Sequence, residues 1–119
     1  MKYTPFLLLL SLIISCHQKP SCELLAQLAS NNACIIIVTK LPDDIFFSAK
    51  GINPFTNEEC KCSDGDRWWI QYKDEINIKD TIIKRKGELT FNIHKKDTII
   101  SHEWKCDGKT YNPDGTIKN

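Results

Sequence analysis

The chain has no apolar run long enough to cross a membrane. A spanning helix needs about 20 consecutive apolar residues, and the longest greasy stretch, Phe6 to Ile14, contains Ser11 and stops at Ser15. A charge excess is also missing: 16 Lys and Arg face 15 Asp and Glu, with the two signs interspersed. A nucleic-acid-binding domain shows clustered basic residues. The one basic cluster, Lys84-Arg85-Lys86, reads as a solvated strand end or turn, so no nucleic-acid partner is expected. Zinc-knuckle spacing is absent too, because Cys60-Lys61-Cys62 is tighter than the C-x₂₋₄-C of structural sites. No local signature joins His94 or His102 to a cysteine as base and nucleophile. Asp64 and Asp66 flank Gly65 in one turn, where short carboxylates cap backbone N–H groups; paired glycosidase acids must instead face each other across a cleft. These absences predict a non-enzymatic chain with no catalytic residue, cofactor or resident metal.

What is present begins at the amino end. Lys2 and the apolar Phe6 to Ile14 match the short basic region and the 7- to 15-residue apolar core, roughly, of a signal peptide. Ile13-Ile14-Ser15 puts a bulky residue where ordinary secretory cleavage wants a small one. Leu12-Ile13-Ile14-Ser15-Cys16 instead resembles a bacterial lipobox, in which aliphatic and small residues precede an acylated cysteine. The resemblance to bacterial lipoproteins covers the first sixteen residues. It implies a signal peptide over residues 1–15, a diacylglycerol thioether on Cys16 with an acylated amine, palmitate for example, and a lipidated tether over residues 16–20. The membrane is then a partner through the lipid on Cys16, each buried CH₂ contributing about 0.8 kcal/mol. Because no aspartate follows Cys16, the resemblance points to the outer membrane of the bacterial cell envelope. Removing Lys2 with the signal peptide leaves fifteen basic and fifteen acidic side chains.

The rest reads as one small α+β domain, residues 21–112, with one N-terminal helix packed on a mainly antiparallel β-meander sheet and stapled by disulfides. Ser21 is a good N-cap, Glu23 complements the helix dipole, and Leu24, Leu25, Leu28 and Ala29 form an apolar stripe to about Ser30. Asn31 and Asn32 tolerate a left-handed ending. Cys34 to Thr39 is β-branched without alternation, which predicts a central strand covered on both faces. Residues 40–59 carry turn formers and read as a loop with one short element. Alternation predicts strands over Arg67 to Tyr72, Ile76 to Ile78, Thr81 to Lys84, Leu89 to His94 and Thr98 to Cys106. Asp107-Gly108 supplies the two positive φ angles of a tight hairpin turn. Residues 113–119 read as a flexible tail.

With Cys16 lipidated, five cysteines remain, enough for two bridges and one spare thiol. On one strand Cys60 and Cys62 would share a face with Cα atoms about 6.6 Å apart, a poor geometry for joining each other. Each is therefore expected to bridge separately to Cys34 or Cys106, leaving Cys22 spare; Cys22 taking Cys34 is the alternative.

In a strand over Arg67 to Tyr72, Trp69 would share the outer face with Arg67, Gln71 and Lys73. An indole among such groups stacks on a sugar or clamps a peptide, unless residues 46–55 cover it. Two readings follow. The first is a membrane-anchored lipoprotein whose non-catalytic envelope domain binds a glycan, peptide or protein through Arg67, Trp69, Gln71 and Lys73. The second is a metal- or thiol-handling envelope protein using Cys60, Cys62 and Cys106, whose thiols would suit zinc or copper.

Overall fold

Ser21 starts α1 (Cys22–Asn31), the one α-helix among the described residues, by accepting a hydrogen bond from the Leu24 N–H at 3.2 Å. The computed structural model describes residues 20–43, 45–64 and 67–119; the signal segment and lipobox, Cys16 included, lie outside the described residues. Ala26, Ala29 and Ser30 are the buried residues of α1 and Leu25 packs on the core, whereas Leu24 and Leu28 are half exposed. The expected stripe is thus rotated toward the small residues, which let the helix lie close. Asn32 is extended, with φ −79°, instead of left-handed. The helix end is closed from outside by the Lys84 ammonium, which donates to the carbonyls of Ser30 at 3.0 Å and Asn32 at 2.6 Å.

Eight strands follow among the described residues: β1 (Cys34–Lys40), β2 (Phe47–Ile52), β3 (Glu59–Asp64), β4 (Thr81–Lys84), β5 (Thr90–His94), β6 (Ile99–Glu103), β7 (Lys105–Cys106) and β8 (Lys109–Thr110). The first six form one antiparallel sheet in the order β3-β2-β1-β4-β5-β6. The α+β class, the N-terminal helix and the disulfide stapling all match the expectation. Within β1, Cys34, Ile36 and Val38 are buried while Ile35 and Ile37 are half buried, so this strand has one core face, not two.

Strand β2 falls inside the segment expected to be mostly loop. Its alternation is disguised by small residues: Phe47, Ala49 and Gly51 face inward, and a Cβ at Gly51 would lie 2.2 Å from the Ile37 carbonyl oxygen. Glycine is required where β1 and β2 approach and their register shifts between Val38 and Lys40. Beyond that bulge the β2–β3 hairpin reaches across the core face, since Phe47 meets Phe91 of β5 edge-on at 6.1 Å.

The chain must return from the β3 edge to β4, beside β1, and this return replaces the strand expected over Arg67 to Tyr72. It is a 3₁₀ helix, Trp69–Glu75. Trp69 is 1% exposed, stacked on Phe91 at 5.6 Å and edge-on to Phe47 at 5.6 Å, and its backbone N–H donates to the buried Asp64 carboxylate at 2.9 Å. Ile76 to Ile78 is likewise a connection, not a strand. The expected strand to Cys106 breaks at Trp104 into β6 and β7. The Asp107-Gly108 turn has φ of 51° and 77° and pairs β7 with β8, as expected.

Two disulfides staple these layers: Cys22–Cys106, joining α1 to β7, and Cys34–Cys62, joining β1 to β3. The Cys34–Cys62 bridge is one of the expected pairings, and Cys60 and Cys62 do not join each other. The spare thiol is Cys60, not Cys22: the helix start docks beside the β7–β8 hairpin, so Cys22 reaches Cys106 with a Cα separation of 5.8 Å. The expected loose tail folds back instead. Tyr111 bridges to Ile117, the Gln27 amide donates to the Asp114 carbonyl at 2.8 Å, and Gly115 is buried against Glu23. In the basic run, Arg85 and Lys86 are exposed but Lys84 is fully buried.

Candidate binding cleft at the β6 edge

Strand β6 ends the sheet, and alternate residues of such an edge turn backbone N–H and C=O groups outward. Beside it the 3₁₀ helix forms a wall, leaving an open cleft of about 420 Å³. Trp68, Gln71 and Tyr72 line the helix side; Ser101, His102, Glu103 and Lys105 line the strand side.

The floor is held from three directions. Phe91 and His102 are cross-strand partners on β5 and β6. The Tyr72 ring stacks on His102 at 3.7 Å and 6°, and on Phe91 at 5.7 Å and 25°. His102 Nε2 lies 2.6 Å from the Glu75 carboxylate, one turn beyond Tyr72 on the same helix, so one imidazole face and one ring nitrogen are held. The wall is fixed as well, because the Gln71 amide donates to the Trp68 carbonyl at 2.8 Å. On the strand side, Glu103 pairs with Lys118 of the returning tail at 2.7 Å.

Burial raises the Tyr72 hydroxyl above its ordinary pKa; the nearby Trp68 indole opposes the shift and Glu75 adds to it. The buried Nε1 atoms of Trp68 and Trp69 meet no acceptor in hydrogen-bonding geometry among the described residues. An unsatisfied buried donor beside a cleft is costly, by about 1–3 kcal/mol.

Of the four residues expected to form a binding face, only Gln71 lines this cleft. Trp69 is in the core, Arg67 is exposed with φ 60°, and Lys73 is half buried and already engaged. A 3₁₀ helix of about three residues per turn cannot align positions 67, 69, 71 and 73. Sugar stacking on Trp69 therefore has no accessible ring. The residues missed in the sequence, Tyr72 and His102 of the cleft and Glu75 that holds His102, lie up to 30 positions apart. Only the period-2 pattern of β6, placing His102 on the face of Ile100, hinted at any of them.

The cysteines proposed for metal or thiol chemistry are dispersed, Cys62 bonded to Cys34, Cys106 to Cys22, and Cys60 half buried on β3. The sulfurs of Cys22 and Cys106 and a carboxylate oxygen of Asp107 do lie within 4.8 Å of one another. While the disulfide stands, those sulfurs are not thiolates and make poor metal ligands. Asp64 caps the 3₁₀ segment as a turn carboxylate should, and His94 is half buried on the outer face opposite Thr81.

No helix among the described residues is long and apolar enough to cross a membrane. No family model matches the chain, and no curated protein or solved structure is significantly similar to it.

Proposed function

We propose that the chain is an exported bacterial envelope lipoprotein, anchored through Cys16, whose non-catalytic domain captures an extended segment of a protein partner along β6. Two disulfides in a domain of this size support export, since such bonds persist in oxidising compartments. The observation that carries the binding reading is the union of an unpaired strand edge with a rigid aromatic floor. Strand addition draws its affinity from main-chain hydrogen bonds and its specificity from side-chain pockets. The cleft of Gln71, Tyr72 and His102 would take one partner side chain. Selection from a display library of extended peptides tests this. Selected peptides should shift the amide signals of Ser101, His102 and Gln71, and Gln71→Ala should weaken them; shifts confined to other strands would sink the reading.

A second reading is favoured by the Cys22–Cys106–Asp107 cluster. Reduced, it would offer two soft sulfurs and one carboxylate oxygen to zinc or copper. Mass spectrometry of native protein separates the two readings: an intact disulfide with no bound metal removes the second, and stoichiometric metal favours it.

A further inference from the structure

At the far side of the sheet from the cleft, three lysines stand in one cross-strand row. Lys40 on β1 is the register partner of Lys50 on β2, and Lys50 is the partner of Lys61 on β3. Like charges directly opposite each other destabilise a sheet, and no ammonium of the three has an acidic or hydrogen-bonding partner among the described residues. All three are exposed and line one groove of about 440 Å³, in which Glu59 is the only acid among the described residues.

Apolar groups adjoin the row. Ile45 is 69% exposed and Phe46 59% exposed, and both share a second groove with Lys61, where Asp43 is the acid. Exposed aromatic and aliphatic side chains beside unpaired lysines form a surface of mixed chemistry: cations for headgroup phosphates, apolar tips for the acyl boundary. A free phosphate would use the lysines but gives no reason for Ile45 and Phe46.

We infer that this face rests on an anionic phospholipid surface, with Lys40, Lys50 and Lys61 on the headgroup phosphates and Ile45 and Phe46 entering the interface. The inference rests on the membrane-anchored reading above and adds an orientation to it: the lysine row faces lipid while the β6 cleft, at the other end of the sheet, faces outward.

The test compares lysine acetylation rates, read by mass spectrometry, on the host-processed chain with phosphatidylcholine vesicles and with vesicles also containing phosphatidylglycerol. Lys40, Lys50 and Lys61 should slow by about fivefold or more on the anionic vesicles only, with Lys96 and Lys109 unchanged. Phe46→Ser should reduce that protection. Equal rates on both vesicles overturn the inference, as does full protection by inorganic phosphate without vesicles, or protection untouched by Phe46→Ser. Flotation with pure phosphatidylcholine reports the anchor separately. A floating chain with unprotected lysines sinks the orientation and keeps the anchor; protected lysines on a chain that floats only with anionic vesicles do the reverse.

Discussion

The two ends of the six-stranded sheet differ in how firmly their surfaces are held, which is why the proposals give them different kinds of contact. At the β6 end, His102 is stacked on Tyr72 and held by Glu75, so the surface is shaped before any partner arrives. At the β3 end, unpaired lysines and the exposed Phe46 have no such framework. A rigid cleft suits selection of one segment, because ordering costs are met during folding. Long, mobile cations suit a charged surface with no fixed pattern. Both ends lean on the same aromatic centre: Phe47 opens β2, Phe91 backs His102, and Trp69 touches both phenylalanines.

Breaking that shared centre should have the largest effect. Trp69→Ala is expected to destabilise the domain by about 3–5 kcal/mol and to loosen both ends, whereas Arg67→Ala should change stability by less than about 0.5 kcal/mol. Urea unfolding of the two variants checks this; equal, small effects would return Trp69 to the surface.

Removing one staple should separate the ends. Replacing Cys34 and Cys62 together by alanine releases a loop with a sequence separation of 28, worth about 3.6 kcal/mol on the chain-entropy estimate. Hydrogen exchange should speed up in β3 while β6 keeps its protection. Faster exchange in β6 to the same degree would mean that the two ends are one cooperative unit.

A smaller effect comes from pH. Burial pulls the Lys84 ammonium down to about 8 from 10.5, against the attraction of Glu88 and Asp64. Between those values the unfolded chain binds more protons than the native one, so the Lys84 contribution to stability grows with pH and is complete above 10.5. Tyr72 acts oppositely: burial raises its pKa above 10.0, so its contribution is intact below that value and is lost above it. Stability should therefore climb from about pH 8 and turn over above 10. Lys84→Met should flatten the climb and Tyr72→Phe the fall; an unchanged profile in Lys84→Met contradicts the buried ammonium. A smaller change again is expected for Glu75→Gln, about 1 kcal/mol or less for a part-exposed pair, visible mainly as greater mobility of the His102 ring by NMR.

Much of the fold was legible because it rests on local chemistry. Ser21 caps α1, Asp107-Gly108 turns β7 into β8, and Phe91 and Ile93 alternate inward along β5. The misread parts depend on distant geometry. Trp68 to Tyr72 carries a period-2 pattern that suits a strand, but the return from β3 to β4 crosses the core, and tertiary burial of two indoles outweighed local preference. Gly51 made β2 look like loop, although glycine stands there because close approach to β1 leaves no room for a Cβ. Cys22 paired with Cys106 because the β7–β8 hairpin lies beside the helix start, a proximity that no spacing between residues 84 positions apart announces. The cleft was invisible for the same reason: Tyr72, Glu75 and His102 meet only when β6 and the 3₁₀ helix are placed side by side.

The proposal that the β6 cleft captures a segment is tested most directly by photocrosslinking in the cells that make the protein. A photoreactive amino acid at Gln71, which lines the cleft, is compared with one at Thr56, exposed in the turn between β2 and β3. The prediction is a covalent adduct from position 71 that maps to one contiguous segment of one protein, with no such adduct from position 56. No adduct at position 71, or the same adducts from both positions, would contradict it.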